Sequence, residues 1–73
     1  MSRLSPLSWK AVLNKLEKLG YQVARQKGSH MTLKHPDHPE KPITLPRHAM
    51  IGKGLLRKIL RDAQLDLRDF RQL

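Results

Sequence analysis

The sequence predicts an α+β fold, a two-layer sandwich in which two helices cover one face of a three-stranded antiparallel sheet. Three observations carry that reading. Two segments, one from Trp9 to Leu19 and one from Leu55 to Ala63, repeat apolar residues at helical spacing. Three short segments between them alternate at strand spacing. Glycine and proline turn formers, such as Gly20, Gly28 and Pro46, fall at the junctions rather than inside the periodic runs. The order is α-β-β-β-α, with a short helix after it.

Each element has a local cause. Ser8 is placed to cap the first helix, because its hydroxyl can accept an orphan amide of the first turn; Ser5 as cap with Pro6 at the first helical position is the alternative. Trp9, Val12, Leu13, Leu16 and Leu19 then form one apolar stripe, with Lys10, Lys15 and Lys18 off it, and Gly20 stops the helix. From Tyr21 to Gln26 the period becomes two. Tyr21, Val23 and Arg25 alternate with Gln22, Ala24 and Gln26. Lys27, Gly28 and Ser29 make a tight hairpin turn. The second strand runs from His30 to His35, with Met31 and Leu33 on one face and His30, Thr32 and Lys34 on the other.

Three of the five prolines crowd into residues 35–42, which cannot continue a sheet and are expected as a loop. Ile43 and Leu45 mark a third short strand, ended by Pro46. Residues 47–54 lead as a loop to the second helix, whose stripe is Leu55, Leu56, Ile59, Leu60 and Ala63. Residues 65–73 form a last short helix, with Asp66 as cap and Leu67 and Phe70 as anchors. The apolar sheet face, from Tyr21, Val23, Met31, Leu33, Ile43 and Leu45, takes both main helices. His30, Thr32, Lys34, Gln22, Ala24 and Gln26 are left on the open face.

Composition bounds what such a fold can do. The chain of 73 residues suits a single domain, with residues 1–7 as a lead-in. Leu, Ile, Val and Phe supply 19 of those residues, enough for a packed core. Cysteine is absent, which excludes disulfide scaffolds, thiol nucleophiles and thiolate zinc sites. The N-terminal residues hold no signal-peptide core, and no apolar run approaches the ~18–20 residues that span a bilayer. A soluble cytoplasmic protein with no membrane partner is expected.

Charge points to a polyanion. Fifteen Lys and Arg against six Asp and Glu give a formal net charge of +9. In residues 1–35 Glu17 is the only acid. Nucleic acid fits this imbalance best, and an acidic protein is the other candidate. On the open face, His30 can both take and give a proton near neutral pH. Lys27 and Lys34 can hold a phosphodiester beside it. In RNA, a base that deprotonates the 2′-hydroxyl lets that oxygen attack the adjacent phosphate without a metal. His30 as an ordinary exposed strand residue is the plain alternative.

The run of residues also resembles a family. A helix, then Leu-Gly-Tyr, then Arg25-Gln-Lys-Gly-Ser-His30, then Lys34-His35-Pro, then Thr44-Leu-Pro-Arg-His48, then Lys53-Gly-Leu-Leu-Arg-Lys-Ile-Leu60 is similar to the HicA family of toxin mRNA interferases. The resemblance covers about residues 8–65. It implies a fold like the double-stranded-RNA-binding domain and cleavage of mRNA that arrests translation. It also implies a toxin–antitoxin system and neutralisation by an acidic HicB-type antitoxin. The family's catalytic histidine follows a Gly-Ser pair, which here makes it His30. The chain departs from the family at Gln64, where glycine is usual after the second helix.

Other candidates are weaker. Ser29 can orient His30 or a phosphate, although a turn role alone explains it. His48 can contact substrate. His35 and His38, with Asp37 between them, form no further ligand pattern, so neither metal nor other cofactor is expected. Trp9 belongs to the apolar stripe and is assigned to the core. A non-catalytic module that binds RNA by shape is the alternative to the enzyme.

Overall fold

A computed structural model describes residues 5–73, so residues 1–4 of the lead-in lie outside the described part. The chain runs α1 (Trp9–Lys18), β1 (Gln22–Lys27), β2 (His30–Lys34), β3 (Ile43–Pro46), α2 (Lys53–Asp62) and α3 (Leu67–Arg71). The three strands form one antiparallel sheet in the order β1-β2-β3. This is the α+β order that the residue periodicities predict.

The caps follow the sequence. Ser8 Oγ accepts the amide of Ala11 at 3.2 Å, which settles the start of α1 in favour of Ser8 over Ser5. Asp66 accepts the amide of Asp69 at 2.8 Å and starts α3. At the other end of α1, Gly20 takes φ +106°, while the amides of Gly20 and Tyr21 return to the carbonyls of Glu17 and Leu16. That is a Schellman closure, which needs a left-handed residue at this position. The end of α2 repeats it. Gln64 takes φ +58°, with Gln64 N–H donating to Arg61 and Leu65 N–H donating to Leu60. The departure from glycine at Gln64 thus leaves the helix end intact.

One core holds the layers together. Val12 and Leu16 of α1, Met31 and Leu33 of β2, Ile43 and Leu45 of β3, Leu56, Ile59 and Leu60 of α2, and Phe70 of α3 are all buried. Burying side chains of this size contributes about 1.5–3 kcal/mol each before conformational entropy is set against it. Lys15 secures α3 from α1: its ammonium donates to the carbonyls of Phe70 and Leu73 and lies 5.3 Å from the Phe70 ring centre.

Three sequence expectations need correction. β1 begins at Gln22 and reaches Lys27, not Tyr21 to Gln26, and its register slips between Val23 and Arg25. Ala24 is the extra residue of a β-bulge, and one extra residue reverses which face every later side chain takes. Arg25 therefore pairs with Thr32 and Lys27 with His30 on the open face, whereas Gln26 pairs with Met31 on the other. Val23, expected in the core, is 42 % exposed because the two main helices pack chiefly over β3 and leave β1 uncovered. Second, element ends shift: β2 stops at Lys34 rather than His35, Pro46 is the last residue of β3, α2 starts at Lys53, and α3 takes only Leu67–Arg71 of the expected 65–73. Third, Ile51 is fully buried despite its place in a loop, since it exchanges both backbone bonds with Leu7 as an isolated bridge.

Candidate functional site

The hairpin between β1 and β2 sets the geometry. Gly28 has φ +60° and Ser29 follows with ordinary backbone, so two residues turn the chain in the type II′ manner. Such a turn makes its flanking residues direct neighbours. Lys27 and His30 are that pair, and cross-strand partners project from the same side of the sheet.

The open face then reads in three rows. Gln22 stands beside Lys34, Arg25 beside Thr32 and Thr44, and Lys27 beside His30 and Pro46. Arg25, Lys27, His30 and Lys34 are all exposed. No acidic residue occupies these rows, and among the described residues none of the three cations is held in an ion pair. The field on this face is therefore uniformly positive around an accessible imidazole. Such an arrangement draws in phosphate groups and can move a proton beside them.

The structure brings some sequence candidates together and separates others. Lys27 and His30 share a row, and Lys34 shares their face at its far end. Ser29 lies in the turn itself, where its carbonyl accepts the amide of Arg47 at 2.6 Å. His48 is not on the sheet face. It sits on the loop after β3, and its carbonyl accepts the amide of Trp9 at 3.3 Å. Arg25 was missed, since strict alternation puts it on the core side. The bulge has no glycine or proline to announce it.

His35 has a different character from His30. Its Nδ1 accepts the amide of Asp37 at 3.0 Å, so Nε2 carries the ring proton and donates to the carbonyl of Leu19 at 2.8 Å. The ring meets Tyr21 edge-on and stacks on His38. Both nitrogens are thus engaged with backbone, which leaves neither as a ligand. Among the described residues no group of three or more His, Asp or Glu is placed to hold a metal ion.

Such a chain is a small basic α+β protein with an exposed histidine on an uncovered, cationic sheet face. A family model described as the HicA toxin of bacterial toxin–antitoxin systems matches residues 9–65, from the first residue of α1 to the closure after α2. The protein belongs to the HicA family, and its place is the toxin side of a toxin–antitoxin pair. That membership implies an antitoxin partner. None of the curated proteins matches the chain. No helix among the described residues is long and apolar enough to cross a membrane.

Proposed function

We propose that this protein is an endoribonuclease that cuts mRNA in the cytoplasm, with His30 as its acid/base group. The observation that supports this best is the Lys27–His30 row, flanked on the same face by Arg25 and Lys34 and by no acid. An imidazole is the side chain suited to proton transfer near neutral pH, and the cations beside it suit the phosphodiester it would act on.

The chemistry uses what RNA itself carries. The imidazole takes the proton of a 2′-hydroxyl, and the freed oxygen forms a bond to the adjacent phosphorus. The bond from phosphorus to the 5′ oxygen of the next nucleotide breaks, and that oxygen leaves as a hydroxyl with a proton from the imidazolium or from water. One product ends in a 2′,3′-cyclic phosphate, and the other begins with a 5′-hydroxyl. Lys27 stabilises the charge that gathers on the phosphoryl oxygens, with Lys34 and Ser29 as further substrate contacts and His48 at the margin. The nucleophile belongs to the substrate, so the reaction asks for no metal or other cofactor. An acidic HicB-type antitoxin would silence the protein by covering this positive face.

Replacing His30 tests the reading. His30→Ala should stay folded, bind RNA and antitoxin, and lose about 10²–10⁴-fold in cleavage rate, the usual contribution of an acid/base group. Near wild-type cleavage by the folded mutant would overturn the assignment. Wild-type protein that binds RNA and never cuts it would instead make the chain an RNA-binding module.

A further inference from the structure

The loop after β3 carries an arrangement that the cleavage chemistry does not use. Arg47 is exposed, and its guanidinium lies 4.7 Å from the centre of the Trp9 ring. The indole is only half-buried, so its assignment to the core describes one side of it. Among the described residues the Arg47 side chain has no hydrogen bond or ion pair, so its donors are unengaged on an exposed residue.

The contact between Arg47 and Trp9 is also fixed in place. Arg47 N–H donates to Ser29, the residue before His30, and Trp9 N–H donates to His48, the residue after Arg47. Pro46, just before Arg47, pairs with His30. The end of β3 thus ties the hairpin that carries His30 to the start of α1 that carries Trp9. A cation held on an aromatic ring by itself adds only a little stability at an exposed site. That contribution does not account for an arginine whose planar group is left accessible at the same end of the sheet as the proposed catalytic histidine.

We propose that Arg47, backed by Trp9, is a stacking platform for one nucleobase of single-stranded RNA, next to the phosphate cut at His30. This inference rests on the RNA-cleaving reading and adds to it where a neighbouring base is held. Bases stack on guanidinium planes as they do on aromatic rings, and a guanidinium already seated on an indole loses little freedom on binding. The platform contacts a base face, so it contributes affinity and register. Lysine cannot replace arginine there, because an ammonium keeps the charge and the attraction to Trp9 but offers no plane.

The experiment is run in the His30→Ala background so that the RNA stays whole, and compares the parent, with the wild-type residues at 9 and 47, with its Arg47→Lys and Trp9→Phe derivatives. Each protein binds a short single-stranded RNA with 2-aminopurine at one position near the cut site, and the same RNA with an abasic unit there. Thermal melts confirm that each variant is folded. With the intact RNA, Arg47→Lys should lose about five- to a hundredfold in affinity, the range of one base stack, and lose the 2-aminopurine quenching. Trp9→Phe should weaken both less. With the abasic RNA, the parent and Arg47→Lys should bind alike. Equal affinity and equal quenching on intact RNA at every position tested would overturn the platform and leave the cleavage reading standing. A loss of equal size on intact and abasic RNA would overturn it too, and make Arg47 a phosphate contact. If the parent binds no RNA, the cleavage reading and the platform fall together.

Discussion

The Nε2 of His35 donates to the carbonyl of Leu19 at 2.8 Å, and this one bond joins the proline-rich loop to the end of α1. Leu19 is the C-cap, so its carbonyl has no partner inside the helix and needs one from elsewhere. Gly20 makes room for the contact. A Cβ there would lie 2.9 Å from Nε2, so glycine is required at this position both by its φ of +106° and by the imidazole above it.

This bond separates the two histidines by role. His35→Ala should destabilise the protein by about 1–3 kcal/mol, because the part-buried Leu19 carbonyl loses its partner. RNA cleavage per folded molecule should be unchanged. Urea melts of His35→Ala and His30→Ala side by side check this, with His30→Ala expected within about 0.5 kcal/mol of wild type. Equal stability of the two variants would mean that the loop is not held by His35.

A second prediction comes from Gln64. A side chain in the left-handed region costs about 1–2 kcal/mol relative to the right-handed one, and glycine avoids that cost while adding freedom to the unfolded chain. Gln64→Gly should therefore be stabilising by about 0.5–1 kcal/mol. For a domain of this size that is a rise of several degrees in Tm. A β-branched residue should do the reverse, because it fits φ +58° worst. Thermal melts of Gln64→Gly and Gln64→Ile check both signs. A lower Tm for the glycine variant would show that the Gln64 side chain makes a contact worth more than its backbone strain.

Both helix closures show which features a sequence displays. The stripes of α1 and α2 are legible because each apolar position is confirmed by the next, three or four residues on. Ser8, Gly20 and Asp66 are legible because their residue types suit one task. The bulge at Ala24 is not, since a single added residue changes the parity of β1 without changing its composition. Nor is Ile51, whose partner Leu7 lies across the fold and whose neighbours have no period. In the site, His30 could be read from strand alternation and from the Gly-Ser-His step. Arg25 could not, because its face depends on the bulge. Arg47 and Trp9 meet only through the tertiary path that brings residue 47 beside residue 9.

A third prediction concerns alkaline pH. Burial, and secondarily the negative charge of Asp62, holds the Tyr21 phenol above its ordinary value of 10.0. The folded state therefore keeps a proton that the unfolded state gives up. The resulting stabilisation is fully present below pH 10 and is lost as pH rises through the higher folded value. Wild type should lose stability across this window faster than Tyr21→Phe, which has no proton to release. Denaturant midpoints for both proteins between pH 8 and 11 measure the difference. Parallel curves would mean that the phenol ionises as easily in the folded protein as in the unfolded chain.

The last prediction tests the bulge through its effect on charge. If β1 alternated strictly, Arg25 would face the helices, and replacing it would disturb packing. In the observed register Arg25 pairs with Thr32 on the open face beside the Lys27–His30 row. Arg25→Ala should then leave stability within about 0.5 kcal/mol of wild type, as exposed substitutions do. Its effect should fall on RNA instead. Each cation that neutralises a phosphate of a single strand releases counterions and adds about 0.7 to the log–log slope of affinity against salt. With Arg25, Lys27 and Lys34 engaged, the wild-type slope should be at least about 2 in magnitude, and Arg25→Ala should reduce it by about 0.7. Arg68→Ala, on α3, should leave the slope unchanged. Titrations of His30→Ala protein with an uncut RNA at several salt concentrations give these slopes directly. A slope untouched by Arg25→Ala would place the RNA away from this row, and a loss of several kcal/mol in stability would show that Arg25 belongs to the packed side after all.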